Sequence, residues 1–231
     1  MSRAATRHQI RQRGPPGSDL QGWCGGVTAP QESARITSVG ALLEDAKSLM
    51  TDAEFAELLD LSSAALEAVV DDDWSEKAGT LDWSCWQTVD HMVDCIFSYA
   101  FQLAARARAG FLPFDELHAQ PSARPADLLT GVRAVGTLFL AVVRDSPPDA
   151  TASDGVLTLS ADDWCARAAY ELLLHTHDVL IGLGSALSPP QELCQSIVAS
   201  PALWMFDRAR ARGSSDPWSA LLAGSGRPPR T

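Results

Sequence analysis

Glu171 and His175 stand four residues apart in the segment Tyr170-Glu171-Leu172-Leu173-Leu174-His175-Thr176-His177-Asp178. At 3.6 residues per turn they stack on one helix face, so both can reach a single ion. His177 lies about 200° around the axis from His175 and faces elsewhere. Leu172, Leu173, Leu174, Val179 and Leu180 surround the pair. This helix is therefore expected to be mostly buried, and buried polar groups need partners. A third donor, His91, falls in the first turn of another expected helix. Two imidazoles and one carboxylate make a facial set with positions left for water or substrate. Zinc with three protein ligands fits a catalytic site, and ferrous iron fits the same donors. Asp90, Asp94 and Asp178 are candidates to support those ligands from outside. Cys95, four residues after His91, shares its face. The remaining histidines, His8 and His118, fall in an expected tail and an expected loop.

The elements that must carry these residues are helices. Phe55, Leu58, Leu59, Leu61, Leu66 and Val69 recur at helical spacing and predict helix one from about Asp52 to Val70. A loop with Trp74, Trp83 and Trp86 follows, and Thr88 is the expected cap of helix two, Val89 to Ala109, stopped by Gly110. Helix three is expected over about Ala126–Arg144, closed by Pro147-Pro148. Residues 149–159 read as a loop with a short extended piece at Val156–Leu159. Helix four opens with Ser160-Ala161-Asp162-Asp163, a capping box with Asp in place of Glu, and runs to about Ile181. Shorter helices are expected near Gln191–Ala199, Ala202–Arg212 and Pro217–Leu222. Four main helices with modest loops imply an all-α fold, an up-down-type four-helix bundle with short C-terminal helices.

Composition narrows the functional classes. The chain has 231 residues and a formal charge of −11, which argues against nucleic acid as a partner. The charge is uneven: residues 1–49 carry six basic and four acidic side chains, whereas residues 50–231 carry twelve and 25. Residues 1–49 are also rich in Gly, Pro, Ser, Gln and Arg. They are expected to be a largely disordered extension with a short helix near 39–49, ahead of a bundle over 50–231. Five cysteines, odd in number and without a CxxC pair, fit a reduced, cytoplasmic compartment. No run of about 18 consecutive apolar residues occurs, so no membrane span is expected. Trp83, Trp86 and Trp164 read as core and loop anchors rather than a ligand cage.

Two short motifs carry a resemblance. The segment Trp83-Ser84-Cys85-Trp86-Gln87-Thr88-Val89-Asp90-His91 resembles the start of the second helix in DinB-like four-helix bundles. More closely it resembles the mycothiol-dependent maleylpyruvate isomerase N-terminal domain, where a Trp-rich loop leads into a Thr-Val-x-x-His helix start. Glu171 to Asp178 resembles that family's Glu-x-x-x-His-x-x-Asp helix. The resemblance spans roughly residues 52 to 185. It implies that His91, Glu171 and His175 bind a divalent metal, usually zinc, with Asp178 in support. The full isomerase has a further C-terminal domain, and here only a short stretch follows helix four. The metal-and-thiol chemistry therefore transfers better than the particular substrate.

The expectation is a metal-dependent transferase or isomerase that joins a low-molecular-weight thiol, mycothiol or one like it, to a small electrophile. A coordinated thiol is deprotonated, and the thiolate is the reactive form. Arg106, Arg133 and Arg167 are candidates to hold an anionic substrate. A homodimer is the oligomeric alternative, suggested by the acidic, partly apolar surface of helix one. The competing reading is a non-catalytic metal-binding bundle in which the ion is structural or ligand-sensing.

Overall fold

Among the described residues, three of the four long helices start at a hydroxyl side chain that caps them. In a computed structural model, which describes residues 50–114, 116–203 and 205–228, helix α1 spans Asp52–Glu67. Thr51 and Glu54 form its capping box. Helix α2, Cys85–Ala105, starts on Ser84 with Gln87 completing the box. Thr88, expected to be the cap, lies inside the helix and donates its hydroxyl to the Ser84 carbonyl at 2.8 Å. Ser84 takes the role because its own oxygen accepts the Gln87 N–H. Helix α3 spans Pro125–Asp145, with proline at its first position. Helix α4, Ala161–Gly182, carries the expected box between Ser160 and Asp163. Each box satisfies amides that would otherwise be orphaned, worth about 1 kcal/mol per cap.

The helix ends differ from expectation where a turn intervenes. Helix α1 stops at Glu67 and continues as turns. Helix α2 stops at Ala105 because Arg106 takes the left-handed conformation at φ 49°. Gly110 is therefore not its terminator. A small hairpin fills the loop before α4: β1, Thr151–Ser153, pairs antiparallel with β2, Thr158–Ser160. Three short helices follow α4, namely α5 (Gln191–Ala199), α6 (Arg208–Ala211) and α7 (Pro217–Gly224). The helix expected over Ala202–Arg212 is thus reduced to one turn.

The fold is helical, with seven helices and one two-stranded sheet among the described residues. Helix α2 packs against α3 and α4, and α1 packs against the same two. Phe55, Leu58, Met92, Ile96, Phe139 and Leu172 meet in the core with essentially no exposure, and Phe55 and Phe139 pack edge-to-face at 4.9 Å. Helix α3 is long and apolar enough to cross a membrane, with a mean hydropathy of 1.7, although it lacks an unbroken apolar run. Its apolar face packs into this core, while Arg133 and Arg144 on its outer side pair with Glu67 and Asp52 of α1. Helix α4 is buried along most of its length, from Trp164 to Leu180. The described residues lie within one compact unit, Thr37–Thr231. The expectations for residues 1–49, His8 included, lie outside the described residues.

Candidate metal centre

Helices α2 and α4 face each other with polar stripes in an otherwise apolar contact. On α2 the stripe is His91, Cys95 and Tyr99, spaced by four. On α4 it is Glu171, His175 and Asp178, spaced by four and three. Both spacings keep the side chains on one helix face. The His91 and His175 rings meet edge-to-face at 5.2 Å. Tyr99 donates its hydroxyl to Glu171 Oε1 at 3.3 Å. His175 Nε2 lies 3.2 Å from Glu171 Oε2.

His91, Glu171 and His175 each offer one donor atom, and these three atoms lie within 4.8 Å of one another. The donor set suits a divalent ion. Two ligands bonded at about 2.0–2.1 Å in a tetrahedron stand about 3.3 Å apart, close to the separation of His175 from Glu171. The outer partner is also present. Asp178 Oδ2 lies 3.2 Å from His175 Nδ1, the arrangement in which a carboxylate fixes a ligating imidazole's tautomer and ring plane. Glu171 and His175 are buried, and His91 is partly exposed.

The electrostatics follow from burial and proximity. Burial pushes the His91 imidazole down, the nearby His175 adds to this, and its pKa falls to about 4. Burial opposes charge on Glu171 too, but the hydrogen bond and charge of His175 outweigh it and hold the carboxyl at about 2. Burial likewise disfavours the charged form of His175, yet its hydrogen bonds to Asp178 and Glu171 raise it above the ordinary value. These shifts favour charge on both Glu171 and His175 and the neutral form of His91.

Asp178 is held in turn by Arg227, just beyond α7. The guanidinium Nε lies 2.7 Å from Oδ1, and a terminal nitrogen lies 2.5 Å from Oδ2. Sequence reasoning did not single out Arg227, and no local pattern marks it. The other expected cations lie elsewhere. Arg167 is buried and paired with Asp154 at 2.6 Å, Arg133 pairs with Glu67 on the surface, and Arg106 ends α2. The charges of Arg133 and Arg167 are already committed within the fold.

Asp90 and Asp94 do a different job from the one expected. Asp90 accepts the Ala119 amide and pairs with His118, and Asp94 accepts the Leu117 amide, each at 2.7–2.9 Å. Both carboxylates clamp the loop that follows α2. Of the three supporting carboxylates expected, Asp178 is the one seen to contact a ligand candidate. Cys95 is nearer than its spacing required: Sγ lies 3.3 Å from His91 Nε2. Cys85, Cys165 and Cys194 are buried packing residues, their thiols pushed up by burial to about 11, 12 and 12. His177 turns away from the site and meets Trp218 edge-to-face at 5.2 Å.

The wall beside His91 comes from the loop before α2. Trp83 sits 4.8 Å from the His91 ring. That loop is pinned against α4 where it approaches Gly182. A Cβ there would lie 2.1 Å from the Lys77 carbonyl oxygen, so only glycine fits. Trp86 anchors the same region by donating its indole N–H to the Ala123 carbonyl at 2.8 Å. Trp164 is a core residue with no exposure and packs against Tyr99.

No protein-family model, curated protein or solved structure matches the chain.

Proposed function

We propose that His91, Glu171 and His175 hold a divalent metal, zinc by donor type, and that the chain is a metal-dependent thiol transferase or isomerase. Its four long helices then form an up-down bundle of the DinB-like kind. The observation that carries this reading is the pair of facing stripes on α2 and α4, with three mutually close donors and a carboxylate behind one of them. An ion held by His91, Glu171 and His175 would supply Lewis-acid chemistry that favours a thiol's thiolate form. The chain's residues do the rest. Asp178 keeps the His175 Nδ1 proton in place and leaves Nε2 as the donor. Tyr99 fixes one oxygen of Glu171 and leaves the other facing His175. Trp83 covers His91 and limits water on the partly exposed side. The second substrate is a small electrophile, and a low-molecular-weight thiol such as mycothiol is the first.

The test is thiol addition to a panel of small electrophiles, with zinc-loaded protein beside His91→Ala. Metal-dependent turnover that His91→Ala lacks is the expected result. Zinc-loaded protein that turns over none of the thiol–electrophile pairs would leave only a metal-binding bundle. That second reading, a structural or ligand-sensing ion, draws on Cys95. Its sulfur, 3.3 Å from His91 Nε2, is close enough to compete for a fourth position and close the site.

A further inference from the structure

The segment after α7 is built to aim one side chain. Helix α7 ends in a turn in which the Gly226 amide donates to the Ala223 carbonyl and the Arg227 amide to the Leu222 carbonyl, at 3.1 and 2.9 Å. This is a Schellman arrangement, and it requires the left-handed backbone that Gly226 adopts at φ 80°. Arg227 is the residue the turn fixes. Its fork grips both oxygens of Asp178, 49 positions earlier in the chain. Asp178 is 2% exposed and Arg227 9%. One residue before Asp178, His177 receives Trp218 of α7. Two successive residues of α4 thus dock the C-terminal segment, and the second also holds His175.

We propose that Arg227 is a positioning residue for the metal centre, acting through Asp178 on His175, so that the C-terminal segment is part of the site. This rests on the metal reading above. A carboxylate with one partner can rotate, whereas one held by a bidentate guanidinium presents Oδ2 to His175 Nδ1 in a fixed plane. The imidazole then keeps the tautomer and tilt that leave Nε2 directed at Glu171 and His91. Partners of this kind alter metal affinity by about 10–100-fold when removed.

The test is zinc affinity of the full chain, by competition with a chromophoric chelator, for wild type, Arg227→Lys, Arg227→Gln, Asp178→Asn and the Arg227→Gln/Asp178→Asn pair. Melting of the metal-free proteins is recorded in parallel to separate loss of fold from loss of binding. Arg227→Gln is expected to bind zinc about 10–100-fold more weakly while folded. Arg227→Lys should fall between, because an ammonium keeps the charge and loses the fork. The double variant should bind no more weakly than Asp178→Asn alone. Should Arg227→Gln not fold, Arg227→Lys and the double variant decide, since the latter leaves no unpaired buried charge. Wild-type affinity in folded Arg227→Gln or Arg227→Lys, or additive losses in the double variant, would overturn the role of Arg227. Absence of zinc binding in the wild type would overturn the metal reading itself and this role with it.

Discussion

Glu171 Oε2 and His175 Nε2 lie 3.2 Å apart on one face of α4, both buried, with His91 facing them from α2. Each group's pKa moves in the direction that favours charge on both. A cation bound at His175 Nε2 competes with a proton on that nitrogen.

His91 makes the metal-free protein acid-sensitive. Its folded pKa is about 4 against an ordinary 6.5, so between those pH values the unfolded chain binds a proton that the folded chain does not. Stability therefore rises with pH across that window and is lost as pH falls through it. His175, raised in the fold, is protonated in both states there and contributes no slope. Its contribution is present below 6.5 and is lost as pH rises through its folded pKa. Urea unfolding of chelator-treated protein at pH 6.5 and pH 4.5 should show a marked loss in the wild type and a smaller one in His91→Gln. Equal losses would contradict the buried, neutral state of His91.

Cys95 separates the two functional readings. Cobalt-loaded protein should lack the near-ultraviolet absorption of a cobalt–sulfur bond until a low-molecular-weight thiol is added, and should then acquire it. The same absorption in thiol-free protein, lost in Cys95→Ala, would mean that Cys95 closes the site, as a structural ion requires.

The presence and rough extent of the long helices were legible in the sequence because apolar spacing and caps are local signals. The Ser160–Asp163 box and α5 at Gln191–Ala199 fell where expected. Two of the three candidate ligands were legible for the same reason, since i, i+4 spacing puts Glu171 and His175 on one face whatever surrounds them, whereas His91 depended on helices α2 and α4 being neighbours. What could not be read depends on partners distant in sequence. Nothing near Arg227 announces Asp178, nothing near Tyr99 announces Glu171, and Asp90 and Asp94 looked like metal-site carboxylates until the loop at 117–119 came back to them. The end of α2 was missed because arginine rarely adopts positive φ, so the first glycine in reach looked like the stop.

Gly182 links the end of α4 to the loop that carries Trp83. Alanine there places a methyl against the Lys77 carbonyl and close to Cys85 Sγ. The loop must retreat, at a cost of roughly 1–3 kcal/mol. Urea unfolding of Gly182→Ala should show that loss, and tryptophan fluorescence should report greater solvent exposure as Trp83 leaves His91. An unchanged midpoint would contradict the tight approach.

The most direct test of the metal centre is elemental analysis of purified protein, wild type beside His175→Ala, with circular dichroism to establish that both are helical. The three-donor site predicts about one divalent ion per chain in the wild type and its loss in the variant. No bound metal in either protein, even after incubation with zinc or nickel, would contradict it.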